Sequence, residues 1–288
     1  MVTPCGCSPM WLLWLLPLFV IQLNALPLDG PSKLVWNGYP INDMSRFPYV
    51  IYISFMNFEE RMTYCTGSLI AANYVLTAAH CASQISGGAV YAGMYDWHHP
   101  ENFVGQHINL RPLIEQIIHP EWNASQSIQN DIALIRIIPF DLNPYVNVIS
   151  IAASDSFLSP NEEVEFMGFG ENEDDPENPK TQNLTLGRAK IMDRTECAVH
   201  VKNFCAGNKC GCRHGGTCSY TVTDTEFCVR GHSYSTHGDS GGPVVSKFPT
   251  VQIGVISHGF GNVDVFVKVS KYCSFIESAT KNTVKCLP

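Results

Sequence analysis

Three short segments carry side chains that could work together in nucleophilic catalysis. His80 ends an apolar run, Asp131 begins another, and Ser240 lies among glycines. A serine hydroxyl becomes a nucleophile when an imidazole accepts its proton, and a carboxylate can hold that imidazole in one tautomer. Each segment alone is weak evidence, because a single histidine or a glycine-rich turn is more often structural. The three segments are Leu76–Cys81, Asn130–Leu134 and Gly238–Pro243.

Taken together, in the chain order His80, Asp131, Ser240, the segments resemble the chymotrypsin/trypsin family of serine peptidases. The resemblance covers nearly all of Leu34–Cys286 and includes further landmarks. It implies an all-β fold of two antiparallel six-stranded β-barrels with a C-terminal α-helix and the catalytic cleft between the barrels. The landmarks are Pro48–Val50, Gly67–Ile70, Gly168–Gly170 where Gly-Trp-Gly is usual, and Phe266–Val269.

The resemblance also implies a role for each residue of the site. His80 would accept the proton of Ser240, and Asp131 would orient the imidazole. The backbone N–H groups of Gly238 and Ser240 would stabilise the oxyanion, and loss of one such donor costs about 3–4 kcal/mol. The implied activity is that of a serine endopeptidase working through an acyl-enzyme. The alternative is a weak or inactive homologue that serves as a protein-binding module.

Activation by proteolysis is a further implication. In the family, the residue matching Asp239 pairs with a new α-ammonium, and a buried carboxylate without that partner is costly. A cut after the basic residue Lys33 would free Leu34, which we favour. Counting back from Asn37–Gly38 would instead make Val35 the inserted residue.

The N-terminus reads as a secretion signal. The apolar run Trp11–Ile21, followed by Ala25, predicts a signal peptide over residues 1–25, although basic residues are missing before the run. The run is short for a bilayer span, and a retained membrane anchor is the alternative. Residues 26–33 would then be a short propeptide, and residues 34–288 the peptidase domain.

Composition limits the function classes. The chain has 288 residues and a net charge of −8, which argues against a nucleic-acid or anionic-membrane protein. With 45% hydrophobic and 15% charged residues, it has enough apolar material for a packed core. Twelve cysteines indicate an oxidising, extracellular location.

Short apolar runs bounded by turn residues predict strands. One helix is predicted at the C-terminus, where Val269, Tyr272 and Ile276 recur at helical spacing, and no other long amphipathic helix is evident. The acidic stretch Glu171–Pro179 predicts a solvated loop. The runs are Tyr49–Ile53, Tyr74–Leu76, Ile132–Ile137 and Val251–Ile256.

Two cysteine pairs are implied by the resemblance, Cys65 with Cys81 and Cys197 with Cys228. Removal of the signal peptide would leave ten cysteines, an even number that suits five disulfides. A cysteine-rich insertion occupies about residues 198–227.

Within this insertion, Cys210–Cys218 has spacing that could suit zinc, but disulfides fit a secreted chain better. Cys273 and Cys286 could bridge the last helix to the tail.

The residues that would line the substrate pocket depart from the family pattern. Tyr234 stands where trypsin-like members carry the aspartate that selects Lys or Arg. The segment Ser257–Gly259 reads Ser-His-Gly in place of Ser-Trp-Gly, and the loop after it is about five residues short. Asp264 falls at or near the pocket floor, or else in a solvated loop. The altered pocket predicts weak primary discrimination.

The predicted partners follow from the same resemblance. They are protein or peptide substrates, an activating protease and protein inhibitors of the serpin type, with neither nucleic acid nor, after signal removal, a membrane. The sequence predicts no cofactor and no metal. Asn123 and Asn183 begin N-glycosylation motifs in turn-like polar segments of a chain that we expect to be secreted.

Overall fold

Strands are the predominant secondary structure of the described chain. The computed structural model describes residues 35, 37–96, 109–123, 129–171, 183–206 and 220–288. The predicted signal peptide, the propeptide, Lys33 and Leu34 lie outside these residues. The strands are β1 (Tyr39–Pro40), β2 (Val50–Asn57), β3 (Met62–Ala71), β4 (Tyr74–Thr77), β5 (Ile85–Ala92), β6 (Asn109–Ile118), β7 (Ala133–Ile137), β8 (Ile151–Ala152), β9 (Glu163–Gly168), β10 (Thr185–Ile191), β11 (Glu226–Gly231), β12 (Pro243–Ser246), β13 (Val251–Gly259), β14 (Val263–Lys268) and β15 (Cys286–Leu287). The helices are α1 (Ala79–Ala82), α2 (Arg194–Ala206) and α3 (Cys273–Ala279).

The first barrel consists of β2 to β7. These strands close in the order β2-β3-β4-β7-β6-β5, with every neighbouring pair antiparallel. Branched aliphatic side chains suit this structure because they pack well on pleated strands, and here they are completely buried. Examples are Ile51, Ile53, Leu69, Leu76 and Leu134.

The second barrel consists of β9 to β14. Its order is β12-β9-β10-β11-β14-β13, and pairing of β12 with β13 closes it, while β1, β8 and β15 extend the sheet. Phe166 packs against Phe266, and Phe227 packs against the same ring, with centroids 5.6 and 5.8 Å apart. The predicted pair of six-stranded antiparallel barrels is therefore confirmed, and a strand lies at each of the four predicted runs.

The predicted C-terminal helix is also confirmed. A 3-10 turn over Val269–Tyr272 leads into α3, and Tyr272 and Ile276 are buried. The Tyr272 hydroxyl donates a hydrogen bond of 3.0 Å to Asn130 Oδ1. The helix thereby supports the turn that carries the adjacent Asp131.

Helix α2 contradicts the prediction that the only long helix lies at the C-terminus. Its buried side chains Cys197, Val201 and Cys205 recur every four residues, so one stripe faces the core. Two of these three buried side chains are cysteines. In a secreted chain, cysteines indicate disulfides, so the helical spacing was not apparent from the sequence. The first part of the predicted cysteine-rich insertion is thus helical.

The disulfides that the resemblance implied are present. Cys65 is bonded to Cys81, which fastens β3 to α1, and Cys197 is bonded to Cys228. The suggested bridge between Cys273 and Cys286 is present as well, and Cys205 is also disulfide-bonded. The segment Cys210–Cys218 and most of the acidic stretch after Glu171 lie outside the described residues. Of the helices in the described ranges, none has the length and apolar character needed to cross a membrane.

Candidate active site

Adjacent strands of the first barrel bring His80 and Asp131 together. Thr77 at the end of β4 pairs with Ala133 at the start of β7, so the residues just beyond this pair are neighbours. The backbone N–H of His80 donates to Asp131 Oδ1 at 2.8 Å, and His80 Nδ1 lies 2.8 Å from Asp131 Oδ2. Asp131 therefore holds both the backbone and the ring of His80.

The charge state of Asp131 fixes the tautomer of His80. Burial of the carboxyl raises its pKa, but the His80 charge and the hydrogen bonds from His80 and Ser257 outweigh burial and hold the pKa well below its usual range. An ionised carboxylate only accepts hydrogen bonds. His80 Nδ1 must therefore donate, which leaves the lone pair on Nε2, the atom that a general base would use.

Ser257 and His258 extend this network. The Ser257 hydroxyl donates to Asp131 Oδ2 at 2.6 Å, and its oxygen lies 2.6 Å from His258 Nδ1. Because Ser257 has one hydroxyl proton and gives it to Asp131, it must accept from Nδ1–H of His258. Burial lowers the pKa of His258 to about 4, with His80 adding to the effect and Asp131 opposing it, so the ring is neutral near pH 7. In the sequence, His258 is visible only as a substitution for the family's usual tryptophan.

The turn that carries Ser240 is held by the first barrel. Thr66 on β3 donates its backbone N–H to the Ser240 carbonyl at 2.9 Å and its hydroxyl to the Gly238 carbonyl at 2.9 Å. Gly238 has φ +99°, and a Cβ there would lie 2.2 Å from Tyr64 Cε2. Thr66 was not predicted, because its partners lie far along the chain and its neighbour Cys65 was the only local signal.

One cavity brings most of the predicted site residues together. Its volume is about 410 Å³, and it is open to solvent between the two barrels. Asp131 lies behind His80, whereas Asp264 lies behind Ser235, which lines the cavity. The predicted site residues that line it are His80, Tyr234, Ser240, Ser257 and Gly259.

Asp264 is buried, so its alternative assignment to a solvated loop is wrong. It is 1% exposed on β14 and accepts two hydrogen bonds from Ser235, one from the backbone N–H at 2.9 Å and one from the hydroxyl at 2.7 Å. Burial raises its pKa to about 7. Ser235 thus separates the carboxyl from the cavity that substrates would enter.

The short loop predicted after Gly259 is a tight hairpin between β13 and β14. The backbone N–H of Phe260 donates to the Val263 carbonyl at 2.7 Å. The Phe260 ring packs on Tyr220 and on Phe204 of α2, with centroids 5.1 and 6.0 Å apart. Helix α2 and its cluster therefore support the truncated wall of the cavity.

Asp239 is completely buried beside Ser240. Its carboxylate accepts from the backbone N–H groups of Thr236 and Gly170, each at 2.8 Å, and burial raises its pKa to about 6. A Cβ on Gly168 would lie 2.2 Å from Asp239 Oδ1, which explains the glycines of the Gly168–Gly170 landmark. No lysine, arginine or α-amine of the described ranges forms an ion pair with Asp239.

The buried carboxyls of Asp239 and Asp264 should make the stability of the fold depend on pH. A carboxyl with a folded-state pKa above the ordinary 3.8 stabilises the fold at low pH and loses that contribution as pH rises through its folded pKa. With pKa values of about 6 and about 7, the free energy of unfolding should fall between pH 5 and pH 8. Each pKa unit corresponds to about 1.4 kcal/mol. His258, whose pKa of about 4 lies below the ordinary 6.5, offsets part of this loss below pH 6.5, so the net loss is on the order of 2 kcal/mol.

Urea unfolding midpoints at pH 5 and pH 8 measure this effect. Asp264→Asn should flatten the pH dependence, because the amide does not titrate. Equal midpoints at the two pH values, or an unchanged slope in the variant, would show that these carboxyls do not titrate as described.

The two glycosylation motifs lie in different surroundings. Asn123 is exposed, and the rest of its motif lies outside the described residues. Asn183 is half-buried and pairs with Asp96 in a β-bridge just before β10, and the following Leu184 and Thr185 are fully buried. Its predicted position in a turn-like polar segment is therefore wrong.

Comparison with known proteins agrees with this geometry. The family model described as Trypsin matches residues 35–276. Granzyme-like protein 1 of Rattus norvegicus is 28% identical over 281 residues, covering 92% of this chain and 98% of that protein. Granzyme C of Mus musculus is 25% identical, covering 93% of this chain and 99% of that protein. The solved structure of HL collagenase is similar in fold, with a TM-score of 0.69 and 24% identity over 85% of this chain and 98% of that one.

The family match spans most of the chain and includes every residue that lines the cavity, from His80 to Gly261. The chain therefore belongs to the trypsin family of serine peptidases.

Proposed function

We propose that the chain is a secreted serine endopeptidase that hydrolyses peptide bonds of proteins through an acyl-enzyme intermediate. The observation that carries the proposal is the two-point contact of Asp131 with His80, in a cavity that Ser240 also lines. This contact leaves the basic nitrogen of His80 on the side of the ring away from Asp131. A protein that only binds a partner would not need a carboxylate that orients the His80 ring in this way.

The reaction follows from these positions. Ser240 Oγ attacks the substrate carbonyl carbon while its proton passes to His80 Nε2, and the N–H groups of Gly238 and Ser240 stabilise the oxyanion. The intermediate expels the amine, which takes the proton from His80, and leaves the acyl group on Ser240. Water then attacks the ester, His80 accepts its proton and returns it to Ser240 Oγ, and the carboxylic acid product leaves.

Activation requires a cut near Lys33. The α-ammonium produced there would supply the cation that the described surroundings of Asp239 lack, and would lower the raised pKa of its carboxyl. Val35 is already fully buried in an apolar cluster of the second barrel. N-terminal sequencing of the active form would decide between a cut that frees Leu34 and one that frees Val35.

Primary specificity should be weak. Tyr234 lines the cavity, and Asp264 is covered by Ser235, so none of the described residues that line the cavity offers a carboxylate to a lysine or arginine side chain. A methylene in a shallow pocket is worth only about 1–3 kcal/mol, so neighbouring subsites should contribute more to selection. A peptide-library cleavage profile should show a broad or small/apolar preference.

The control for specificity is Asp264→Ser, which should leave that profile unchanged even though it removes a buried hydrogen-bonded group. A strong Arg/Lys preference that disappears in the variant would instead make Asp264 the specificity residue.

The proposed function is tested with a fluorophosphonate label, which forms an adduct with an activated serine. The activated protein should be labelled and hydrolyse peptide substrates, and Ser240→Ala should do neither. Labelling should be blocked by a protein inhibitor of the serpin type if one recognises the cleft. Absence of an adduct after verified cleavage near Lys33, or hydrolysis unchanged in Ser240→Ala, would favour the alternative of a protein-binding homologue.

A further inference from the structure

Two histidines line the same cavity, and one buried carboxylate orients both. His80 and His258 have ring centroids 5.6 Å apart. His80 Nδ1 contacts Asp131 Oδ2 directly, at 2.8 Å. His258 Nδ1 reaches the same oxygen through Ser257, by two contacts of 2.6 Å each.

This network gives both rings the same tautomer. Each Nδ1 carries the proton, because Asp131 accepts from His80 and from Ser257, and Ser257 then accepts from His258. Each Nε2 therefore carries a lone pair. Histidines that bind a metal almost always donate their other ring N–H to a carboxylate, a carbonyl or water, which fixes the tautomer and raises the basicity of the ligand. The hydrogen bonds around these two rings match that pattern.

The spacing of the groups suits a metal ion. Both rings turn Nδ1 toward Asp131, with Nδ1–Oδ2 distances of 2.8 Å for His80 and 3.9 Å for His258, so Nε2 is the nitrogen that each ring can offer to an ion. Two imidazoles on one tetrahedral Zn²⁺, with Zn–N bonds of about 2.0–2.1 Å, have ring centroids about 5 Å apart. The centroids of His80 and His258 are 5.6 Å apart. The side chains of His80 and His258 are 29% and 28% exposed, so solvent ions can reach them.

We propose that His80 and His258 bind a divalent transition-metal ion such as Zn²⁺, with water completing the coordination and Asp131 orienting both ligands. Imidazole nitrogen is a preferred ligand of Zn²⁺, Cu²⁺ and Ni²⁺. The ion occupies the Nε2 lone pair that must accept the Ser240 proton, so it inhibits hydrolysis reversibly. The inhibition rests on the proposed function, whereas the binding does not.

A third histidine of the cavity provides a matched control. His237 also lines it, but its ring lies near Glu171, with Nδ1 and Oε1 3.7 Å apart, and its side chain is 64% exposed. The proposed site does not include His237. His258→Gln and His237→Gln therefore make the same chemical change at two positions of one cavity.

Metal binding is measured on the uncleaved Ser240→Ala chain without a histidine tag, by calorimetric titration with Zn²⁺ and by the visible absorption of Co²⁺. We expect one saturable site. Its affinity for the metal should be at least about tenfold lower in His258→Gln and within twofold of the parent in His237→Gln. Ser257→Ala keeps both ligands but removes the bridge to Asp131, and should weaken binding by about 10–100-fold. It tests the site even if His258→Gln fails to fold.

Three results would each overturn the inference. They are the absence of saturable binding, an affinity in His258→Gln equal to that of the parent, and loss of binding in His237→Gln instead. In the activated protein, Zn²⁺ should inhibit hydrolysis, EDTA should restore it, and each variant is compared with its own metal-free rate. Zinc binding without any hydrolysis would contradict the proposed function alone. Hydrolysis without zinc binding would contradict this inference alone.

Discussion

Replacement of Asp131 by asparagine should lower kcat of the activated protein about 10⁴-fold. In the native site, Asp131 Oδ1 accepts from the backbone N–H of His80, and Oδ2 accepts from the ring and from Ser257. An asparagine can present an oxygen to only one of these two sets of donors. The backbone N–H cannot change its role, so the amide oxygen should face it and the NH₂ group should face the ring.

That orientation inverts the tautomer of His80. Facing an NH₂ group, Nδ1 must accept a hydrogen bond, so the ring proton moves to Nε2, which then cannot take the proton of Ser240. The substitution keeps the shape of the side chain, so the fold should survive. Steady-state kinetics, with active-site titration to correct for the fraction of competent enzyme, measure the effect.

Ser257→Ala is the control for Asp131→Asn. It removes one hydrogen bond to the carboxylate but leaves the charge and the His80 tautomer intact. A hydrogen bond to a charged group contributes about 1.5–3 kcal/mol, so the loss in kcat should stay below about 200-fold. If Asp131→Asn kept kcat within tenfold of the parent, the tautomer argument would be wrong.

How far the sequence could predict this site depends on the range of the contacts. Gly238, Ser240, His80 and Asp131 lie in short motifs that the family resemblance assigns, because their roles depend on local turns and strand ends. The Thr66 hydrogen bond to Gly238 joins residues 172 positions apart and has no local pattern. Such contacts become visible only when the two barrels are placed side by side.

Long-range contacts also explain why the sequence left Asp264 between two assignments and gave His258 no role. Ser257 meets Asp131 across 126 residues, so the sequence could not show that a hydroxyl would link His258 to the carboxylate. Asp264 lies two positions after Gly261–Asn262, which resembles a loop. Strand pairing with Val229 and Gly259 nevertheless places it on β14 under Ser235. The polar residues indicate the turn between β13 and β14. The burial of the Asp264 carboxyl depends on tertiary packing, which the local sequence does not show.

Gly238, whose backbone N–H is a proposed oxyanion donor, should not tolerate a side chain. Gly238→Ala should lower kcat about 10²–10³-fold, the effect expected for loss of one oxyanion donor. Gly238 has φ +99°, which L-residues rarely adopt, and the added Cβ would lie 2.2 Å from Tyr64 Cε2. The turn must move to relieve both problems, so the N–H no longer points at the oxyanion position. Because this charge develops only in the transition state, kcat should fall much more than KM rises.

Two further variants test whether the loss in kcat is specific to Gly238 and whether it comes from the backbone conformation or from the Tyr64 ring. Gly87→Ala is the matched control, since a Cβ on Gly87 meets nothing within 4 Å, and it should leave kcat unchanged. In the double variant Gly238→Ala with Tyr64→Ala, the clash with the ring is removed but the positive φ remains, so most of the loss in kcat should persist. Recovery to near the rate of Tyr64→Ala alone would mean that the ring contact, and not the backbone conformation, requires glycine at this position.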